Sequence, residues 1–206
     1  MKRLSKAFAG IIAAMSVAAA IAGCSPRTSF TEAELDLIEG SDSVMYVEVV
    51  GIEADSLILR AHNEEFTLDD LKSKAFRTLA AKMLRTVTDP SQDGVGIAAP
   101  QVGINRRVIA VQRFDREGEP FGIFPNARLD SLWGDITHDP EGCLSIPGKR
   151  GLVPRYTNIR VSYTDPETLE KVTEEVEGFT AIIFQHEIDH LEGVLYTDKA
   201  DSVYVD

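Results

Sequence analysis

The feature that most constrains this chain is a pair of histidines in an apolar stretch at residues 178–193. His186 and His190 stand four positions apart with Glu187 between them, in the pattern H-E-x-x-H. On a helix this spacing puts both imidazoles on one face, where they can hold a divalent metal while the carboxylate handles the proton of a water. The run from Phe179 to Phe184 is largely apolar and Gly193 follows it. The stretch therefore predicts a buried helix that stops at a glycine.

A chance match to so short a pattern, on a solvated surface helix, is the alternative interpretation. Because buried polar groups need a partner, the apolar setting favours a metal over solvation. Catalytic zinc or iron usually takes three protein ligands, so a third ligand must lie upstream. His62 and His138 lie in polar stretches, whereas Cys143 lies in the turn-rich stretch from Pro140 to Pro147. Cys143 is the better candidate, although a lone cysteine is often a small buried hydrophobe.

A third stretch, from Gly94 to Gln101, combines closely spaced glycines with one amide side chain. Its simplest interpretation is a tight turn before an apolar strand. It is not a dinucleotide fingerprint, because the third glycine and the following helix are missing. The glycines would let a ligand backbone approach, and Gln101 could donate to an oxygen that gains negative charge.

Taken together, these stretches resemble the signatures of the peptide deformylases. The three matching motifs are GVGIAAPQ from Gly94 to Gln101, EGCLS from Glu141 to Ser145 and QHEIDHLEG from Gln185 to Gly193. The similarity extends loosely from about Leu57 to Lys199. We interpret Ser41 to Ala54 as an added segment that contains a strand.

The resemblance implies a metal-dependent hydrolase that removes the formyl group from N-formylmethionyl peptides and releases formate. The metal ligands that it implies are Cys143, His186 and His190. It also implies one divalent metal, typically Fe²⁺, with Zn²⁺ or Ni²⁺ as substitutes, and a water in the fourth position. Glu187 would act as general base and then as acid, while Gln101 and the backbone N–H of Leu144 would stabilise the oxyanion.

An apolar pocket for the methionine side chain is compatible with the same helix. Phe179, Ile182 and Ile183 precede His186 by seven, four and three residues, which places them on its helical face. Plain core packing is the alternative for each. The substrate-binding residues that the resemblance implies are Val95, Gly96, Phe179, Ile182, Ile183 and Arg150. The glycine would pair with the peptide backbone, and the arginine could equally be an ordinary exposed loop residue.

The first 24 residues predict export. Basic residues precede an uncharged run from Ala7 to Gly23, and Ile21 to Cys24 follows the lipobox pattern of bacterial lipoprotein signals. A transmembrane helix is the alternative, but the run is Ala-rich and short for a stable span. We expect lipidation of Cys24 and a membrane anchor through that lipid. Both interpretations place the catalytic domain outside the cytoplasm, facing the periplasm or the exterior, because a basic n-region stays inside.

The expected organisation is a signal peptide over residues 1–23, a lipidated tether over 24–30 and a single deformylase-like catalytic domain over 31–206. The order of predicted elements indicates an α+β fold, and the family implies antiparallel strands packed around the central H-E-x-x-H helix. The other elements that the periodicity predicts are a strand over Val44–Ile52, a helix over Leu68–Val87 and strands over Arg107–Gln112 and Asn158–Tyr163.

The charge of the chain limits its partners. The formal net charge is −12, and removing residues 1–23 takes away three positive and no negative charges, which gives −15. We therefore expect no nucleic-acid binding. We also expect no ribosome docking, since residues 201–206 do not resemble the basic C-terminal helix of some deformylases. Pairs such as Asp69-Asp70 are predicted to be solvated, and Asp189 is predicted either to bind Arg155 or to face solvent.

Two other functions stay open from the residues. The first is a metallopeptidase that shares H-E-x-x-H alone, although such enzymes usually take a downstream His or Glu as third ligand. The second is a catalytically retired lipoprotein that serves as a binding module, which loss of a ligand would have favoured.

Overall fold

The computed structural model describes residues 29–206, so the predicted signal peptide and Cys24 lie outside the described residues. The helices are α1 (Glu32–Glu39), α2 (Glu53–Leu59), α3 (Leu68–Lys72), α4 (Lys74–Val87) and α5 (Gly178–Leu191). The strands are β1 (Gly96–Ala98), β2 (Val108–Gln112), β3 (Phe121–Pro125), β4 (Arg128–Gly142), β5 (Lys149–Thr164), β6 (Lys171–Glu177) and β7 (Ser202–Val205). Within residues 29–206, no helix has the length and apolar character needed to cross a membrane.

Two antiparallel sheets form the β part of the fold. The first has the order β1-β2-β3, and the second has the order β4-β5-β6 with β7 paired to the start of β5. The long hairpin of β4 and β5 has register shifts between Leu129 and Ser131 and between Trp133 and Ile136. Helices and antiparallel sheets in one chain confirm the predicted α+β class.

Helix α5 packs against strands of both sheets, which explains why its sequence is apolar nearly all round. All residues from Thr180 to Leu191 are buried. The residues that pack together where α5 meets β2 and β5 include Ala181, Phe184, Ile188, Ile109, Val111 and Ile159. The helix ends before Gly193, whose φ is 69°. A Cβ added at this residue would lie only 2.9 Å from the Arg60 carbonyl oxygen, so the position favours glycine. The predicted buried helix and its glycine stop are confirmed.

The predicted helix over Leu68–Val87 is broken at Ser73. This residue has an extended ψ of 158° and its side chain accepts from the Phe76 N–H at 3.0 Å, so it caps α4. Asp70 is fully buried and accepts from the Ser29 and Thr67 N–H groups at 2.6 and 2.8 Å. The prediction of a solvated Asp70 was therefore wrong, because it receives hydrogen bonds that replace water.

The strand predicted over Val44–Ile52 is not part of either sheet. The segment is extended, but its backbone pairs with loops: Glu48 N–H donates to the Gln101 carbonyl at 2.9 Å, and Val50 N–H donates to the Ser145 carbonyl at 3.0 Å. The other two strand predictions are confirmed, although β5 is much longer than predicted.

Candidate active site

Cys143, His186 and His190 come together although they lie on separate elements. Their ligand atoms are all within 4.8 Å of one another, and Cys143 Sγ lies 3.2 Å from His190 Nε2. Cys143 immediately follows β4, while α5 presents both imidazoles on one face with ring centroids 5.2 Å apart. One sulfur and two imidazole nitrogens form a donor set that suits zinc or iron. The residues therefore fit the predicted metal.

Glu141 orients His186, a role that was not predicted from the sequence. The His186 Nδ1–H donates to Glu141 Oε2 at 2.8 Å, which leaves Nε2 free to bind a metal. Arg155 donates to both oxygens of the same carboxylate, at 2.7 and 3.0 Å. Burial raises the pKa of Glu141, but the hydrogen bonds from His186 and Arg155 outweigh it and lower that pKa to about 2. Its position in the EGCLS motif was the available signal.

The network continues to the surface through Asp189. Arg155 Nη1 donates to Asp189 Oδ2 at 2.6 Å, and Lys199 Nζ donates to Oδ1 at 2.6 Å. Asp189 is 6% exposed. Its predicted pairing with Arg155 is confirmed, and the solvent-facing alternative is wrong.

Glu187 is buried beside the histidines and close to the first glycine motif. Its Oε2 has no hydrogen-bond partner within the described part of the chain. Burial raises the pKa of Glu187 to about 7, although the charge of His186 opposes this. A Cβ on Gly96 would lie 2.5 Å from Glu187 Oε1, so the glycine provides the space that the carboxylate occupies.

Gln101 lies beside Cys143. Its Oε1 accepts from the Ala98 N–H at 2.8 Å, which turns its Nε2 toward Ser145 Oγ at 3.3 Å and Cys143 Sγ at 3.5 Å. An amide N–H is thus directed at the ligand cluster. Leu144 lines the same cavity.

The side chains of Cys143, His186, Glu187 and Gln101 line a cavity of about 420 Å³. The predicted substrate residues that line it are Val95, Gly96, Arg150, Phe179, Ile182 and Ile183. Phe179 is 53% exposed and its ring lies 5.2 Å from that of Phe114, whereas Ile182 and Ile183 are buried. The binding roles of these residues stay predictions. The cavity is also lined by three charged residues that were not predicted from the sequence, Asp93, Lys149 and Asp206.

The fold and the site together are those of a metal-dependent hydrolase with an H-E-x-x-H helix. A family model described as polypeptide deformylase matches residues 47–205, and the chain belongs to this family. The match begins ten positions before Leu57. The interpretation of Ser41 to Ala54 as an addition to the family fold is thus wrong from residue 47 onward.

Curated relatives agree with the family assignment. A peptide deformylase of Leptospira biflexa is 38% identical over 152 residues, which cover 70% of this chain and 83% of that protein. A peptide deformylase of Symbiobacterium thermophilum is 40% identical over 137 residues, 64% of this chain and 62% of that protein.

Solved structures agree as well. The Met-Ala-Ser-bound class I type b peptide deformylase of Acinetobacter baumannii matches with a TM-score of 0.67 at 33% identity, covering 76% of this chain and 98% of that one. The peptide deformylase of Thermotoga maritima matches with a TM-score of 0.62 at 32% identity, covering 77% and 99%. The predicted formyl-removing hydrolase activity is confirmed, and neither the metallopeptidase nor the binding module is favoured.

Proposed function

We propose that this protein removes formyl groups from N-formylmethionyl chains outside the cytoplasm, from a lipid anchor at Cys24. The observation that supports the chemistry best is the convergence of Cys143, His186 and His190 beside a buried carboxylate, Glu187, whose Oε2 has no partner within residues 29–206. A buried oxygen without a partner is costly unless a ligand or substrate supplies one.

The proposed cofactor is one divalent metal held by Cys143 Sγ and by an imidazole nitrogen of each histidine. When bound, it would supply a Lewis acid that polarises the formyl oxygen and acidifies water. Ferrous iron is the metal that the family resemblance implies, and the donor set suits Zn²⁺ and Ni²⁺ as well.

The chain's own residues would move the proton and bind the oxygen that gains charge. The Gln101 Nε2–H and the Leu144 N–H would donate to the formyl oxygen as it becomes an oxyanion. Glu187 would take a proton from the attacking water and pass it to the departing amine nitrogen. Water adds to the formyl carbon and the C–N bond breaks, so formate and a free N-terminus leave.

The cavity walls would select the methionyl residue. Val95, Phe179, Ile182 and Ile183 line the cavity and would form an apolar wall for its side chain, and the Gly96 backbone would pair with that of the peptide. Arg150 lines the same cavity and would contact later residues of the peptide.

The anchor and the location rest on the sequence. The basic start, the Ala-rich run and the lipobox before Cys24 support a processed lipoprotein signal. An enzyme in that location would meet exported polypeptides whose N-termini remain formylated. A thiolate-bound ferrous centre is prone to oxidation there, which favours zinc as the alternative metal.

The activity is tested by formate release from N-formyl-Met-Ala-Ser by the full chain, loaded with Fe²⁺ under anaerobic conditions or with Zn²⁺. N-acetyl-Met-Ala-Ser is the matched control, and we expect formate and no acetate. A folded, metal-loaded chain that releases no formate would overturn the proposal. Internal cleavage of an unformylated peptide would instead indicate the metallopeptidase.

The anchor is tested separately by palmitate labelling in a bacterial host, followed by intact-mass analysis. We expect the wild-type chain to incorporate label and to lack residues 1–23, and Cys24→Ser to incorporate none. A wild-type chain that keeps residues 1–23 and carries no label would contradict the lipid anchor.

A further inference from the structure

Helix α4 has an exposed face that is basic. Phe76 and Leu79 lie on the buried side of the helix, whereas Lys74, Arg77 and Arg85 are exposed. Residues 74–87 contain no aspartate or glutamate, although the whole chain has a net charge of −12. We define the basic face of α4 by the residues of this helix that line one surface groove, namely Lys74, Arg77, Thr78, Ala81, Lys82 and Arg85.

Arg77 and Arg85 differ from the other arginines of residues 29–206. Neither has a carboxylate oxygen of this part of the chain within 4.0 Å, whereas each of the other arginines pairs with an aspartate or a glutamate. In a chain with an excess of acids, two arginines that share one helix face and have no such partner indicate an anionic partner outside the domain.

Neighbouring acids offset this positive charge only in part. Asp42 lines the same groove, Glu167 lines another groove with Arg77, and Asp69 lies 3.7 Å from the ammonium of Lys72. The Lys82 ammonium donates to the carbonyl of Gly40, which follows Glu39. Each of these four acids belongs to another segment, so the helix face itself stays positive.

The described chain begins close to one end of the basic face. The Ser29 N–H and Oγ–H donate to Asp70 at 2.6 and 2.7 Å, and Arg106 donates to the Ser29 hydroxyl and carbonyl at 2.8 and 2.6 Å. Asp70 and Arg106 are buried, with exposures of 0% and 5%. Asp70 precedes Lys74, the first residue of α4, by four positions. Ser29 is therefore fixed near the start of this helix.

The position of Ser29 limits how far the domain can lie from a lipid on Cys24. These residues are five positions apart, and five residues span at most about 18 Å when fully extended. A bilayer that holds the lipid must therefore lie close to the surface around Ser29. The start of the basic face belongs to that surface.

We propose that the basic face of α4 binds anionic phospholipid headgroups of the membrane that holds the lipid anchor, and so fixes one orientation of the catalytic domain. The inference rests on the lipid anchor of the proposed function and adds an interaction surface to it. Each basic residue at an anionic surface strengthens binding about five-fold. The negative charge elsewhere on the domain opposes this weakly, because exposed charges more than about 8 Å from the headgroups are screened.

The test measures how fast a membrane-impermeant reagent acetylates Lys74. The processed, lipidated chain is placed in phosphatidylcholine vesicles with or without phosphatidylglycerol, and acetylation is followed by mass spectrometry. We expect phosphatidylglycerol to slow the acetylation of Lys74 about three- to ten-fold. High salt should remove this protection, because it screens the headgroup charge. Lys171, exposed on β6, is the internal control and should react equally on both lipids.

Two double variants with the same change in charge separate the basic face from a general charge effect. Arg77→Gln with Arg85→Gln should remove most of the protection of Lys74. Arg128→Gln with Arg160→Gln removes two half-exposed arginines that pair with carboxylates, and it should keep the protection. None of these arginines lines the active-site cavity, so all variants should release formate from N-formyl-Met-Ala-Ser at the wild-type rate.

Vesicle flotation on the same samples distinguishes this inference from the proposed anchor. A chain that floats with the vesicles while Lys74 reacts equally on both lipids would overturn the inference and leave the anchor intact. The two arginines would then fit an acidic protein instead. Protection that both double variants remove equally would also overturn the inference. A chain that does not float would overturn the anchor and the inference with it, whereas formate release tests only the deformylase activity.

Discussion

At the scale of single residues, the reactive carboxylate of Glu187 packs closely against Gly96, which has no side chain. The carboxylate is 4% exposed and lies where any Cβ on residue 96 would press against it. The glycine of the GVGIAAPQ motif is therefore required by packing against Glu187, in addition to any role toward the peptide backbone.

Glu187→Gln should keep the metal and lose about 10²- to 10⁴-fold in formate release, because an amide of the same shape cannot carry the proton. Cys143→Ala should lose the metal as well, since it removes a ligand. Formate release and bound metal by atomic absorption are measured on the same samples. A fully active Glu187→Gln variant would rule out Glu187 as the proton carrier.

Gly96→Ala should lower formate release by about 100-fold, because the new methyl group must displace the Glu187 carboxylate and a shift of about 1 Å is costly in an active site. Gly51→Ala is the matched control, since a Cβ there meets nothing within 4 Å, and it should leave activity unchanged. Equal activity of the two variants would show that the 2.5 Å contact is relieved without cost.

At the scale of elements, one buried arginine joins β4, β5 and α5. Arg155 on β5 binds Glu141 on β4 and Asp189 on α5, and its side chain is 3% exposed. Glu141 in turn binds His186. The position of the imidazole therefore depends on the packing of three elements as well as on the helix that carries it.

Arg155→Met should lower the free energy of unfolding by about 3–5 kcal/mol, because it leaves buried carboxylates without their partner. Arg160→Met is the matched control on the same strand. Its pair with Glu175 is half-exposed, so its loss should cost about 0–1 kcal/mol. Urea unfolding monitored by circular dichroism measures both. A similar cost for the two variants would contradict a structural role for the buried network.

At the scale of the whole molecule, the segment over residues 44–52 hydrogen-bonds to two loops of the site. It also contains Glu48, an acid whose pKa is raised. Burial, with a hydrogen bond to Asp55 and the charge of that residue, raises the pKa of Glu48 to about 7. Protonated Glu48 is the form that the folded state prefers. Its contribution to stability is therefore complete below its ordinary pKa of about 4.5 and is lost as the pH rises through about 7.

Glu48→Gln should match the wild type in stability near pH 4 and exceed it near pH 8, because glutamine has the shape of the protonated acid and never ionises. Thermal unfolding between these pH values measures the difference. Glu53→Gln, at an exposed position nearby, should leave the pH profile unchanged. A Glu48→Gln variant whose advantage does not grow with pH would contradict this interpretation.

The sequence by itself determined the parts of this protein that depend on local spacing. About one helical turn separates His186 from His190, and Glu187 lies between them. The apolar residues around them required burial. Their arrangement follows from helix geometry alone. The break in the predicted helix at Ser73 was not predicted, because the apolar periodicity continues across that residue. The Ser73 side chain accepts a hydrogen bond from the Phe76 N–H, so a new helix begins there.

Only the tertiary structure decided what depends on pairing between distant segments. Cys143 lies 47 positions from His190, and the β4–β5 hairpin together with the packing of α5 brings them to 3.2 Å. Arg150 and Asp206 are 56 positions apart and meet because β7 pairs with β5. Strand register and helix packing result from many weak contacts summed over the core, so no local pattern encodes which distant side chains share a site.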